Sequence, residues 1–547
     1  MLEPATGLGG SFRPIIRRWL PLPVVLVALS VLPLLLLSPL FNAPFDRDQG
    51  LYGVIARGWL HGSIPYRDLW DNKGPVLFLW YMAAFSWLGE NIVGPRLLAA
   101  LAAGGAVPFV WASGVALLGR RAALVAAVLF ATAFANVFLQ ANANAEIFML
   151  LPLAAGFWAF TRGAQGGHLS WFVIAGLLTA LAIMTKQSAV WTLPGYVAWL
   201  TAVAWRRPQE RRRHLAAFGL LALGTALGLL PFAAYFLYYD ALYDFWYAVF
   251  WFNYAFVGQF PFVLKLLPPL LWHPLPLVGG AALWFLAALG AFHLWQRRDR
   301  TAALILLFLL VSELAAQTTG KNSPHYNIQL LPAAALAGAL GLQVVLDRWR
   351  EGKKAFGRIL IVAAALSIAG SVFVYAWPTP KDRFEAQYAF LNYADDSIEA
   401  RQIADTVATL TKPGDYIYEF GYQSDIYFLA DRQPASRWVH NRPYQIDPEV
   451  LDEIMADLRR TRPAVILLSF ECGYFWQEIP DLQCYSPAPA ALQEYLDNYY
   501  TYAGNVHYAF LYTRDNDTRG YDARAGAISP DDETPAFAAL SRQPGAP

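Results

Sequence analysis

FDRDQGLYGVIARGWLHGSIPYRDLWDNKGP, residues 45–75, follows directly on an apolar run at 20–40. Carboxylates, basic groups and aromatics gather in it at the edge of a bilayer, where polar groups are costly unless they act on something. The run before it has Arg13, Arg17 and Arg18 on its N-terminal flank and no small-residue cleavage pattern behind it, so 20–40 reads as a retained span. Read outward from this loop, most of the chain is a scaffold that holds it over a lipid-accessible pocket.

Composition agrees. With 57% apolar and 15% charged residues and a mean hydropathy of +0.34, residues 1–380 do not have the make-up of a soluble domain. The 41 basic and 40 acidic residues nearly cancel, and no basic stripe interleaved with aromatics occurs, so no nucleic-acid partner is expected. Twenty tryptophans and 28 tyrosines suit a protein with two membrane interfaces.

Apolar segments near spanning length run at about 20–40, 96–118, 122–139, 146–162, 170–184, 189–205, 216–238, 273–295, 301–316, 327–346 and 358–377, with a shorter one at 76–89. The expected class is a polytopic α-helical membrane protein of about 11–13 transmembrane helices. Basic clusters at Arg13/Arg17/Arg18, Arg120-Arg121, Arg206 to Arg213, Arg297/Arg298/Arg300 and Arg348 to Arg358 fall on one side if 76–118 makes one net crossing. The segment 76–89 is then re-entrant or interfacial, unless one further short crossing lies elsewhere. This puts a multi-pass protein in the cell membrane with its N-terminus cytoplasmic and its C-terminal part extracytoplasmic. The outer loops carry Lys73, Lys186 and Lys321 against the charge bias, which an anionic ligand would explain.

From about 380 the chain turns polar. Helices at 397–411, 448–460 and 488–499 alternate with strands at 415–420, 464–469 and near 507–513, as in a small α/β unit with a partly parallel sheet. The division is 1–380 for the membrane part with an active outer loop at 41–75, 381–515 for the soluble domain, and a disordered Asp-, Gly- and Pro-rich tail at 516–547. Cys472 and Cys484 are the two cysteines, either paired in an oxidising compartment or left as thiols. The tail holds no nucleotide fingerprint or triad, and an accessory role is its default.

In the opening loop Gln49 stands three residues after Asp46, the spacing of a capping box, so Asp46 reads as a helix N-cap and Asp48 as a first-turn acid. Tyr52 shares the face of Asp48 one turn later. In 66–75, charges alternate with aromatics. Either Arg67 pairs with Asp68 or Asp71 while Trp70 anchors in headgroups and Lys73 snorkels, or Lys73 and Arg67 hold a phosphate. Asn144 and Glu146 open an apolar segment, where Glu146 is also a plain helix-dipole partner. Lys186 separates two apolar segments with almost no loop and needs an anion or an interface nearby. His325 and Tyr326 lie at another outer mouth.

The segments DRDQGLYGVIARGWLHGSIPYRD, DNKGP, NAEIFMLLP, TKQSA and PHYNIQLLPAAALA resemble the GT-C superfamily of membrane glycosyltransferases. The similar branch holds protein O-mannosyltransferases and the aminoarabinose transferase of lipid A (glycosyltransferase family 39-like). Register on Tyr52 implies that Asp48 is the catalytic aspartate. Gln49 replaces the usual glutamate, Asp46 is the candidate second carboxylate, and use of a divalent metal ion is left open. Lys73-Gly74-Pro75 falls where the family contacts lipid-linked phosphate, with Arg67, Lys186, His325 and Tyr326 as further phosphate ligands and Tyr52, Asn144 and Glu146 lining the cavity. The resemblance implies transfer of a sugar from a polyprenyl-phosphate donor in the bilayer to an acceptor glycan, lipid or protein, typically with inversion. Two rival readings are a transporter or flippase of lipid-linked solutes and a non-catalytic assembly protein on the same fold.

Overall fold

Helices follow the apolar runs. The structure, a computed structural model, describes residues 21–139, 141–259, 265, 271, 274–297, 299–318, 320, 323–375, 394–469, 488–507 and 509–515. Helical runs at Leu22–Leu40, Val93–Leu118, Ala145–Ala164, Pro208–Tyr238, Arg300–Gln317 and Pro324–Arg350 are long and apolar enough to cross a membrane, and shorter apolar helices stand at Pro75–Leu88, Ser170–Thr185 and Ala355–Ala369. The larger count expected from sequence includes such short segments. Val27, Leu35, Leu230 and Ile361 stand exposed on these helices, as suits helices that meet lipid rather than water.

Ala145–Ala164 is the inner post of the bundle. Its Phe157 stacks on Phe308 and its Phe160 on Tyr196, each at 3.9 Å between ring centroids. Beside the bundle runs Leu331–Arg350, whose first turns are buried alanines from Ala333 to Ala339. Small residues there let neighbouring backbones approach closely, which is how helices gain packing without a hydrophobic drive in lipid.

The loop after the first span folds into the helix Arg47–Leu60, capped as its spacing predicts. Asp46 Oδ1 accepts from the backbone N–H of Asp48 at 2.8 Å and of Gln49 at 3.3 Å. The chain then turns through Tyr66, held at a φ of +71°, and enters the helix Pro75–Leu88 through Gly74. A Cβ on Gly74 would collide with the carbonyl of Met184, so the backbone beside Lys73 lies flush against the end of the 170–185 helix.

The C-terminal part is a small α/β domain. Its strands are β1 (Tyr416–Phe420), β2 (Gln433–Pro434), β3 (Val465–Ser469), β4 (Tyr500–Val506) and β5 (Ala509–Arg514), in the order β2-β1-β3-β5-β4. β1 is parallel to β2 and β3, while β5 is antiparallel to β3 and β4. The partly parallel character was legible; the β4–β5 hairpin was not, because 500–506 is the direct continuation of a helix. Cys472, Cys484, Lys321 and the 516–547 segment lie outside the described residues.

This domain is seated on the loop helix. A Cβ on Gly50 would collide with Cα and Cβ of Asp425, so a glycine is required where the two helices touch. Arg437 donates to Asp244 at 2.6 Å and pairs with Glu453 at 2.7 Å, and its carbonyl accepts from the Trp70 N–H at 2.9 Å. Trp70 is therefore not a headgroup anchor. It is buried between Phe252 and Trp438, because the sheet domain covers the face that would otherwise meet lipid.

Candidate active site

A cavity of about 310 Å³ opens where the loop helix, the ends of several spans and the sheet domain meet. Its lining includes Asp46, Arg47, Asp48, Tyr52, Lys73 and Arg442. Polar groups dominate the lining, and Val190, Phe256 and Val257 add apolar surface to it.

Asp48 sits in the first turn of its helix with its carboxylate facing three cations. Burial acts to raise its pKa, but Lys73, Arg47 and Arg442 outweigh that and draw it down to about 2. Asp46 shows the opposite balance. Burial, then the charge of Asp48, push it up to about 6 against the two backbone N–H groups that it caps. The folded Asp46 thus holds its proton more tightly than its ordinary value of 3.8 allows. Stability from this group is present at low pH and declines between about pH 4 and pH 6, where the native state binds more protons than the unfolded one. Asp46→Asn keeps a good cap and is expected to remove this group's share of the decline, read as thermal midpoints that fall less across the window than those of the wild type.

The basic groups come from both parts of the chain. Tyr422, on the loop after β1, has Arg442 at 4.0 Å and Arg47 at 4.4 Å from its ring centroid, and its hydroxyl lies 3.5 Å from Asp48 Oδ1. Lys73 stands 5.8 Å from the Tyr52 ring centroid and donates to Asn72 Oδ1 at 3.0 Å. The Asn72 carbonyl accepts from Gln187 and Asn253, both at 2.8 Å, which fixes the backbone that presents Lys73. Across the cavity Lys186 is paired with Glu146 and lies 4.0 Å from the Tyr326 ring centroid, with His325 Nε2 3.7 Å from the same Glu146 oxygen.

Behind the site lies a buried guanidinium. Arg96 donates to the carbonyls of Leu40 (3.2 Å), Phe41 (3.0 Å), Ala43 (2.6 Å) and Pro44 (2.6 Å), and to Gln49 Oε1 at 3.1 Å. With its oxygen committed to Arg96, the Gln49 amide turns Nε2 towards Asp46 Oδ2, 3.0 Å away. Gln49 is thus the link between a buried cation and a cavity carboxylate.

A match to the dolichyl-phosphate-mannose-protein mannosyltransferase family covers residues 73–237. Undecaprenyl phosphate-alpha-4-amino-4-deoxy-L-arabinose arabinosyl transferase 1 of Pseudomonas fluorescens is 30% identical over 379 residues, 65% of this chain and 66% of that protein, just under two thirds of its length. ArnT from Cupriavidus metallidurans bound to undecaprenyl phosphate superposes with a TM-score of 0.57 at 15% identity, over 91% of this chain and 99% of that one. The archaeal oligosaccharyltransferase AglB from Archaeoglobus fulgidus superposes at 0.52 with 14% identity, over 91% and 75%. The chain has a GT-C-like fold.

Within this GT-C-like fold the structure gathers Asp46, Asp48, Tyr52, Lys73, Asn144, Glu146, Lys186, His325 and Tyr326 around one cavity. Arg67 is not among them. It pairs with Asp68 at 2.8 Å and donates to the Tyr239 carbonyl at 3.0 Å, half-exposed on another face. The adjacent carboxylate outcompetes a cavity two turns of loop away, and the local pairing that the sequence allowed prevails. Arg47, Asn253, Tyr422 and Arg442 were not foreseen. Arg47 lay in plain view between the two aspartates, whereas Tyr422 and Arg442 carry no local signal and correct the view of the tail as accessory. Among the described residues no group of three or more His, Cys, Asp or Glu side chains is disposed to hold a metal ion. Asp48 faces cations instead, and Asp46 is taken up by the helix cap and the Gln49 amide, so the residues present do not fit a divalent-metal site.

Proposed function

We propose that this protein is a membrane glycosyltransferase that moves a sugar from a polyprenyl-phosphate donor to an extracytoplasmic acceptor, with inversion. The observation that carries this reading is a carboxylate, Asp48, held among Lys73, Arg47 and Arg442 in a cavity that Val190, Phe256 and Val257 also line, at the end of the helical bundle. The names of the matched family and relative, and the undecaprenyl phosphate in the ArnT structure, support a phosphate-linked polyprenyl donor. The membrane part would span 1–380 with its N-terminus cytoplasmic, and 381–515 would form the outer domain, with 516–547 as a tail.

In this scheme an acceptor hydroxyl attacks the anomeric carbon and its proton passes to Asp48. The anomeric C–O bond to phosphate breaks, and its electron pair leaves on polyprenyl phosphate. A carboxylate with a pKa near 2 is a weak base, since efficiency favours a pKa close to the working pH. The same cations that depress Asp48 would be shared with the donor phosphate, so binding of the donor raises the basicity of Asp48 at the moment it is needed. Charge placement among fixed cations then carries much of the rate.

The test is the purified full chain in proteoliposomes with a series of polyprenyl-phosphate sugars and extracted envelope glycans, lipids and proteins as acceptors. Release of polyprenyl phosphate with transfer of label is expected. Failure to consume any donor, with the fold intact by thermal unfolding, would overturn the reading. In the same assay Lys73→Gln and Arg442→Gln are expected to raise the donor KM by about tenfold or more, each removing a charge-assisted contact of about 1.5–3 kcal/mol. Arg67→Gln is expected to leave it nearly unchanged, because its partners are Asp68 and a carbonyl outside the cavity.

A further inference from the structure

The segment LYDFWYAVFWFNYAFVG, Leu242–Gly258, is helical with one π-type turn at Tyr247–Trp251. Its faces differ sharply. Phe245, Ala248, Val249, Phe252 and Phe256 are buried, whereas Tyr243, Trp246, Phe250 and Tyr254 recur every three or four residues and stand exposed, Tyr243 at 70% and Tyr254 at 82%. Four large aromatics in a row do not face water without a partner.

We propose that this aromatic face is a bilayer-binding surface that lies in the headgroup layer of the leaflet nearest the sheet domain. The preceding helix Arg211–Tyr238 has 28 residues, and at ~1.5 Å per residue it runs the full thickness of a bilayer with both polar layers. The turn at 239–241 therefore lies at membrane-interface depth. Phe236 at the end of that span stacks on Phe245 at 4.7 Å, which fixes the new helix at this level. Tyrosine and tryptophan are the side chains that such a layer holds, with an apolar body and a polar tip. Among the ionisable side chains of the segment, basic residues are absent and Asp244 is paired with Arg437. The partner is thus lipid recognised through its apolar and glycerol region rather than through anionic headgroups.

The buried face gives the contact a consequence. Asn253 donates to the Asn72 carbonyl and accepts from the Asn72 side chain at 3.2 Å, and Arg442 lies 5.2 Å from the Phe256 ring centroid. Phe256 and Val257 line the cavity itself. One helix therefore touches lipid on one side and, on the other, the backbone that presents Lys73, so the lipid surface sets the depth of the cavity rim.

The test uses the full chain in phosphatidylcholine nanodiscs containing a phosphatidylcholine with a diazirine near the glycerol end of one acyl chain, with adducts mapped by mass spectrometry and no turnover required. Adducts are expected on Tyr243, Trp246, Phe250 and Tyr254. None are expected on buried Phe252 or on Tyr416, Tyr499 and Tyr502, which are exposed on the sheet domain. Labelling should survive added salt, and a Trp246→Ser/Phe250→Ser variant should lose it locally while Leu35 and Leu230 remain labelled. An unlabelled stripe beside labelled spans would overturn the proposal. So would protection of the stripe by a second copy of the chain, seen as a chain–chain cross-link.

Discussion

Asp48→Asn is expected to lower kcat by about a hundredfold to ten-thousandfold, the usual contribution of a positioned general base. The isosteric amide keeps the first-turn position but takes no proton from the acceptor. The substitution also removes the charge that Lys73, Arg47 and Arg442 now face, which frees those groups for the donor phosphate. The donor KM should therefore fall or stay level while kcat drops, a pattern that separates a lost transition-state role from lost binding. Initial rates in proteoliposomes over a range of donor concentrations provide the measurement. An Asp48→Asn enzyme as fast as wild type would remove Asp48 from the mechanism, whatever becomes of the donor class.

Arg96→Met is expected to be the most destabilising single change near the site, by about 3–5 kcal/mol, because it strands buried acceptors that had a charged donor. Four carbonyls of the 40–44 segment and the Gln49 side chain lose their partner at once. The segment that joins the first span to the loop helix then loosens, and Asp46 and Asp48 move with it. Thermal unfolding in detergent reads the loss, and Arg96→Lys, with fewer donors in no fixed fork, should recover only part of it. Gln49→Glu distinguishes support from chemistry. It keeps a partner for Arg96 but withdraws the Nε2 donor from Asp46, so the fold should hold while the acid side of the pH–rate profile moves to higher pH. A profile that does not move would show that Asp46 plays no part in turnover.

The bundle was legible because membrane spans announce themselves locally, as unbroken apolar runs between arginine clusters, although the short run at 76–89 left its crossing open. Asp46 and Asp48 were legible for a similar reason, since a cap and a first-turn acid are short-range features and Tyr52 fixes their face. Lys186 and Glu146 could each be read as needing a partner, but their pairing spans forty residues of sequence and only packing reveals it. Tyr422 reaches Asp48 across 374 residues, and nothing in the GYQSD stretch around it distinguishes it from any surface loop. Arg67 misled because charge type is visible in a sequence and direction is not. Gln49 looked like a defect until Arg96 came into view on another helix.

The seat of Gly50 on Asp425 leaves no room for a hinge on that side. The loop helix and the sheet domain are locked together by backbone contact and by Arg437, and they carry Asp48, Tyr422 and Arg442 as one rigid jaw. The helix 242–258 joins the same body through Asp244 on Arg437 and Phe256 beside Arg442, so any breathing of the chamber falls to the side where 324–330 stands.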